Sequence, residues 1–390
     1  MASIIGTFPY NISNGQYMDA IPVMGDLNYI QSQINTNVPL ATVANSLACS
    51  GNAATSSVSL NSAGKNYLIN GAMRVAQRGT TYALTATASY GSLDRWCAYS
   101  TTTLGVFNQI ANPQTGTGFQ YLAKLGRNPG NGGVSSIFIG QALETVDSVP
   151  LAGQTVVVSF YAFAGLNFSS GINSISTALN VGTGTDQSSI SMLAGSWTGY
   201  SQIGNTNTIL STSLTRYSYS VVIPSNATQL GFQASYVPTG TGGADDNLYI
   251  TGVKIEVVPT GTSFASQYEN MSYSEELAKC QRYCQTLTGN VNAILGIGFF
   301  NTTSTAYFTY PLPTIMRITP TSSVAGTINA WLLTNIVSVT TNLTSITQTV
   351  SSNGVFAYIV TGIGTPFTVF QPAVVESSAA YGAMVLSSEL

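Results

Sequence analysis

From Tyr217 to Tyr236 the chain alternates with a period of two. Tyr217, Tyr219, Val221 and Ile223 alternate with Ser218, Ser220 and Val222, and Pro224 closes the run. Leu230, Phe232, Ala234 and Tyr236 then alternate with Gln229, Gly231, Gln233 and Ser235. Side chains of a strand point to opposite faces in turn, so this pattern describes half-buried strands and not helices. Thr155–Phe163 is a nearly continuous apolar run, as a central strand requires. From Asn247 to Val258 the phase slips at Gly252, which predicts a β-bulge there. Gly-rich stretches such as Pro238–Asp246 separate the strands, so a β-sandwich or jelly roll is expected.

Charge is scarce. There are 11 Lys and Arg and 14 Asp and Glu in 390 residues, or 6% of the chain, against roughly 25% in an ordinary globular protein. A net charge of −3 with scattered cations argues against nucleic acid as a partner and against an electrostatic membrane anchor. The longest apolar run, Val156–Leu166, is too short to span a bilayer as a helix, and no signal peptide opens the chain. A surface this poor in ions suits a fixed assembly. The absence of His removes the commonest general base and metal ligand. Neither a metal nor a cofactor is expected. Cys49, Cys97, Cys280 and Cys284 lack zinc-site spacing and read as buried thiols.

The expected fold class is mainly β. Residues 1–64 form an N-terminal arm with a short helix and linker, and 65–267 a β-sandwich. Residues 268–289 make a helical connector, and 290–390 a C-terminal β-rich domain. In the arm, Leu27, Ile30, Ile34 and Asn37 are spaced 3, 4 and 3. This is a heptad-like seam for oligomer or virion contact, or an ordinary amphipathic helix. Ser46–Gly64 reads as a linker. In the connector, Ser272 and Glu275 have capping-box spacing, and Tyr273, Leu277, Cys280 and Cys284 fall on one face, with Leu277, Cys280 and Cys284 expected inward. Further short strands are expected at Thr305–Tyr310, Ile336–Val339, Ser345–Val350, Val355–Val360 and Phe367–Phe370. The connector also marks a seam: after Arg282 only Arg317, Glu376 and Glu389 are charged.

Five strings resemble fibre and appendage proteins of tailed bacteriophages. Asn66–Gly79, NYLINGAMRVAQRG, resembles that family's NLLINGxFxxxQRG, and Ser92–Trp96, SLDRW, its ADRW. Tyr268–Tyr283, YENMSYSEELAKCQRY, resembles RPYSEELALCQRYY, with Met271-Ser272 where the family more often has Arg-Pro. Pro311–Thr321, PLPTIMRITPT, resembles PVPMRAAPT, and the terminal SSEL resembles DAEL. The resemblance covers residues 66–390. It implies a virion protein, assembled in the host cytoplasm and commonly a homotrimer, with a carbohydrate-binding-module-like jelly roll. Residues 1–64 would attach to tail, collar or capsid proteins, and the C-terminal domain could be a host-recognition tip.

The residues offer few sites. Trp197 and Tyr200 could stack on a sugar ring, and so could Trp331; each could equally be core. Asp245 and Asp246 could accept sugar hydroxyls or hold Ca²⁺, or serve turn chemistry. No carboxylate pair lies in a catalytic string, so the expectation is a non-enzymatic fibre that binds host-surface polysaccharide. A purely structural head or collar fibre or decoration protein is the alternative, and a polysaccharide-degrading tailspike the second. An outer-membrane barrel is disfavoured because the strands lack regular outward apolar bands.

Overall fold

The computed structural model describes residues 64–101, 104–261, 264–288, 294–325, 331–335, 340–349, 352–364, 367–377 and 383–390. Leu27, Ile30, Ile34 and the Ile336–Val339 strand lie outside them. The described residues belong to one compact unit, 64–390. The described chain is mainly β.

Ten strands make a sandwich of two five-stranded antiparallel sheets. They are β1 (Cys97–Ser100), β2 (Gly105–Ala111), β3 (Tyr121–Arg127), β4 (Ile137–Ala142), β5 (Thr155–Ala164), β6 (Ser174–Gly182), β7 (Ser201–Ile209), β8 (Thr215–Val222), β9 (Gln229–Tyr236) and β10 (Asn247–Val258). One sheet runs β1-β4-β9-β6-β7 and the other β2-β3-β10-β5-β8. The alternating residues close between them: Leu230, Phe232 and Ala234 of β9 meet Val156, Val158 and Phe160 of β5 in one core. The bulge at Gly252 is present. The β10–β5 register shifts between Thr251 and Lys254, and Gly252 has φ +59.

Two short helices, α1 (Thr145–Ser148) and α2 (Ser189–Leu193), interrupt the sandwich. Ser188 caps α2 by accepting from Ser191 N. Met192 and Leu193 lie over Gly140 and Gly231, positions where a Cβ would meet them within 3 Å. We expect Gly140→Ala to cost about 1–3 kcal/mol in urea unfolding, because its Cβ would also lie 2.7 Å from the Phe232 carbonyl oxygen.

The C-terminal region closes on itself. Strands β12 (Ile294–Phe300), β13 (Thr305–Pro311), β15 (Trp331–Asn335), β16 (Thr340–Gln348), β17 (Val355–Gly362) and β18 (Pro372–Ser377) form a barrel in the order β12-β13-β17-β16-β15-β18. Phe300, Phe308, Trp331, Phe356 and Tyr358 fill it. Closure removes the open edges that short strands would otherwise expose. Phe367–Phe370, expected as a strand, instead precedes β18 as a turn, with Phe370 at φ +67. Beside the barrel, β19 (Ala383–Ser387) lies between β11 (Cys284–Thr288) and β14 (Thr321–Ala325).

Helix α3 (Tyr273–Gln281) sits between barrel and sandwich, and its Ser272–Glu275 capping box is formed. Of its expected inward residues, Cys280 and Cys284 are buried and Leu277 is half-buried, and Glu276 joins them. Tyr273 is exposed, and Cys284 belongs to β11. Glu276 is buried because it accepts from the Asn70 backbone N–H. Cys97, Cys280 and Cys284 are buried free thiols.

All five strings quoted above meet here. Asn70 binds the Val75 and Asp94 carbonyls, and its own carbonyl accepts from the Trp96 indole. Gln77 donates its backbone N–H to Asp94 Oδ1 at 2.9 Å and a side-chain N–H to the Cys284 carbonyl at 2.7 Å. Arg78 and Arg95 both pair with Glu389, and Arg95 also lies 3.6 Å from the Tyr283 ring centroid. Arg317 donates to the Ser388 and Glu389 carbonyls. Tyr90 donates to the Leu390 carbonyl. Burial pushes the Asp94 carboxyl up to about 6, against the donors from Gln77 and the nearby Arg78 cation.

Glu144 is held the opposite way. Burial works against its charge, but the Arg282 fork and the Tyr283 hydroxyl outweigh burial and keep it below the usual carboxylate range. A depressed carboxylate contributes stability above its unfolded value of 4.5, and loses it as pH falls through the folded value. Glu144→Gln is therefore expected to lose less stability than wild type between neutral pH and about pH 3, measured by urea unfolding.

Candidate functional site

The two outer faces of the sandwich differ. The face of the β10 sheet is crossed by residues 264–271: Lys254 donates to Ser266 Oγ at 2.6 Å, and Tyr268 packs edge-on against Phe119 at 5.3 Å. The opposite sheet, β1-β4-β9-β6-β7, has no Asp, Glu, Lys or Arg in any of its five strands. The α2 segment covers one end of its outer face.

Beyond α2, one row of residues crosses all five strands. Tyr99 pairs with Phe138, Phe138 with Ser235, Ser235 with Ser176, and Ser176 with Asn207. The alternation dictates this row, since Ile137, Ile139, Ala234 and Ile175 are the inward neighbours. Tyr99 and Phe138 stack with centroids 5.0 Å apart and planes 11° apart. Tyr99 also donates to the Leu193 carbonyl, which ties the row to α2. In the next row Gln233 Oε1 accepts from Asn180, whose own carbonyl accepts from the Tyr200 hydroxyl at 3.0 Å. Ser176 donates to Asn205 at 2.9 Å. Gln233 is 7% exposed and Ser235 half-buried. The face thus offers an aromatic surface beside neutral donors and acceptors. That combination suits a ligand with apolar C–H faces and uncharged hydroxyls.

Trp197 and Tyr200 lie at the covered end of this face. Trp197 is buried and donates to the Ser188 carbonyl at 2.9 Å, so it anchors the α2 turn from beneath. Tyr200 is half-buried and reaches the face through Asn180. Trp331 is elsewhere, 0% exposed inside the barrel, where its ring is unavailable for stacking on a ligand. Asp245 accepts from Leu166 N, Asn247 and Tyr249; these bonds outweigh its partial burial and keep it below the usual carboxylate range. Asp246 is fully buried and paired with Arg127 at 2.6 Å. Both aspartates thus hold loops together. Among the described residues, no three His, Cys, Asp or Glu side chains cluster as metal ligands.

A hollow of about 460 Å³ is lined by Glu144, Thr145, Val146, Val149, Pro150 and Asp186. Both its carboxylates have cationic partners, Glu144 in Arg282 and Asp186 in Arg317 at 3.7 Å.

Sequence reasoning singled out the Trp residues and missed Tyr99, Phe138, Asn180 and Gln233. The available signal was the outward phase of the alternation. Phe138 stands between two inward isoleucines, which a search for isolated Trp does not register.

No protein-family model matches the sequence, and no curated protein matches it. Among solved structures, the chain is similar to one titled "CBM4 structure and function", at 12% identity and TM-score 0.29, covering 48% of this chain and 98% of that one. It is also similar to TmCBM61 in complex with beta-1,4-galactotriose, at 13% identity and TM-score 0.27, covering 50% and 99%. A third is the enzymatically active domain of bacteriophage CBA120 tailspike protein 4, at 8% identity and TM-score 0.31, covering 50% of this chain and 21% of that one. Likenesses of this strength do not distinguish one β-sandwich function from another.

Proposed function

We propose that the chain is a non-enzymatic virion appendage protein of a tailed bacteriophage, assembled as a trimer, that binds neutral host-surface glycans on the outer face of the β1-β4-β9-β6-β7 sheet. The observation that carries the glycan reading is that uncharged sheet, with Tyr99, Phe138, Ser235, Ser176 and Asn207 in one row. Sugar rings lay their C–H faces on aromatic rings, and their hydroxyls pair with amides and hydroxyls. A charge-free face avoids the cost of desolvating ions when it is covered. The five sequence strings support the appendage reading, with residues 1–64 as the particle-bound end. The buried carboxylates Asp246, Glu256 and Glu389 each pair with a cation, which supports a binding role over catalysis.

A glycan array followed by competition of virion adsorption with purified protein tests this. Binding of neutral glycans with reduced adsorption is the expected result. Absence of both points to the purely structural fibre, and shortening of purified capsule or O-antigen points to a depolymerase. Phe138→Ala is expected to weaken the array-selected glycan about tenfold, near 1.4 kcal/mol, with a lowered Tm because Phe138 also packs against the Met192, Leu193 and Trp197 cluster. Calorimetric titration measures it.

A further inference from the structure

Asn is followed by Gly at Asn14, Asn70, Asn131 and Asn353, and the glycan reading uses none of these pairs. Asn14 lies outside the described residues. An Asn-Gly pair is open to one side reaction above others. The Gly backbone nitrogen can approach the Asn side-chain carbonyl carbon, and no Cβ obstructs it. Whether it does so depends on how each pair is held, and the described pairs are held differently.

Asn70 is locked. It is 0% exposed, its Oδ1 accepts from the Arg74 and Val75 backbone N–H groups, and its Nδ2 donates to the Val75 and Asp94 carbonyls. Gly71 has no room to move, since a Cβ there would lie 2.2 Å from the Val253 carbonyl oxygen. Asn131 is half-buried; its Oδ1 accepts from Gly133 N at 2.9 Å, and its carbonyl accepts from Gly242 N. Asn353 is exposed, in the turn that joins β16 to β17. Beyond its chain neighbours, no heavy atom stands within 4 Å of the place a Cβ would take on Gly354. The Gly354 N–H makes a long bond, 3.3 Å, to Ser352 Oγ.

We propose that Asn353-Gly354 is a site of spontaneous deamidation, and that its isoaspartate product unpins residues 312–316 from the barrel. The Gly354 nitrogen gives its proton to hydroxide and bonds to Asn353 Cγ. The side-chain amide leaves as ammonia, and a cyclic succinimide remains. Water then opens the ring. Cleavage of the new N–Cγ bond gives aspartate. Cleavage of the original peptide bond gives isoaspartate, whose main chain runs through Cβ and Cγ. Water and hydroxide are the only co-reactants.

The backbone of this pair carries contacts that the rerouting disturbs. The Asn353 carbonyl accepts from Met316 N at 2.8 Å, and the Gly354 carbonyl from Leu312 N at 3.0 Å. Met316 is buried in the barrel core, and Leu312 packs against that core. An extra main-chain carbon between the two acceptors puts them out of step with their donors. The released carboxylate also enters a barrel whose strands otherwise carry only Glu376.

The test is peptide mass mapping of the full chain after ageing at mildly alkaline pH, with isoaspartyl methyltransferase labelling to separate isoaspartate from aspartate. Asn353 is expected to convert first, Asn131 more slowly, and Asn70 not at all while the chain stays folded. Gly354→Ala is expected to slow conversion severalfold, because its methyl group crowds ring closure, and Asn353→Gln because its longer side chain must close a larger ring. Hydrogen exchange of the aged chain, fractionated by charge, is expected to rise at Leu312–Arg317 in the isoaspartate form and not in unconverted chain of the same age. The comparison of the three pairs within wild type needs no variant to fold. Conversion at Asn353 no faster than at Asn70 or Asn131, equal rates in Gly354→Ala and wild type, or unchanged exchange at Leu312–Arg317 in the isoaspartate form would overturn the inference.

Discussion

Arg127→Ala is expected to destabilise the sandwich by about 3–5 kcal/mol, because it leaves Asp246 buried without its counter-charge. Both side chains of the pair are fully buried. Arg127 also donates to the Gly133, Gly240 and Thr239 carbonyls and to Ser169 Oγ, and so gathers three loops at one end of the sandwich. Asp246 in turn accepts from Ser169 N and Oγ. Removing the cation strands all these acceptors together. Guanidinium unfolding measures the effect, with a Tm drop of roughly 10 °C alongside it. Adding Asp246→Leu to Arg127→Met is expected to recover part of the loss, since a neutral pair no longer buries an uncompensated ion. A loss below about 1 kcal/mol in Arg127→Ala would show that water relieves the site.

Arg95→Ala acts at the junction and is expected to cost a similar amount, about 3–5 kcal/mol. Arg95 is 1% exposed and has φ +71. Its guanidinium pairs with Glu389, donates to the Ala142 carbonyl at 2.8 Å and lies over Tyr283. The substitution leaves Glu389 with Arg78 alone at 3.1 Å. The consequence spreads through β19, the central strand of its three-stranded sheet, whose following residues Glu389 and Leu390 dock against the sandwich. Cys280 and Cys284 lie under this contact and are buried, and burial pushes the Cys284 thiol up to about 12. Thiol labelling should therefore accelerate at Cys280 and Cys284 in Arg95→Ala and stay slow in a surface control such as Lys279→Ala. Equal labelling rates in the two variants would contradict the junction's role.

Much of the fold was legible because a strand's period of two is written directly in the sequence. Tyr217–Ile223 and Leu230–Tyr236 read as strands from alternation alone, and the slip at Gly252 located a bulge. Ser272 and Glu275 likewise announced their helix through the chemistry of its first turn. What could not be read was long-range pairing. Nothing local to Asp246 names Arg127, 119 positions away, and nothing near Glu389 names Arg95. The burial of Glu276 on the inward face of α3 is illegible for the same reason. Apolarity marks Leu277, Cys280 and Cys284, but Glu276 is buried by the Asn70 backbone N–H it satisfies. The candidate site was partly visible. The polar phase of β9, with Gln233 and Ser235, was explicit, while its aromatic partners Tyr99 and Phe138 are brought alongside by pairing between distant strands. Trp331 drew attention as a rare residue and turned out to fill the barrel, where a large aromatic contributes most through burial.

The most direct test is the structure of the full chain soaked with the best neutral oligosaccharide from the array. The glycan is expected along the Tyr99, Phe138, Ser235, Ser176 and Asn207 row, with a sugar ring on Phe138 and a hydroxyl on Gln233. A glycan bound only elsewhere, on the barrel wall or in the hollow beside Glu144, would contradict the account.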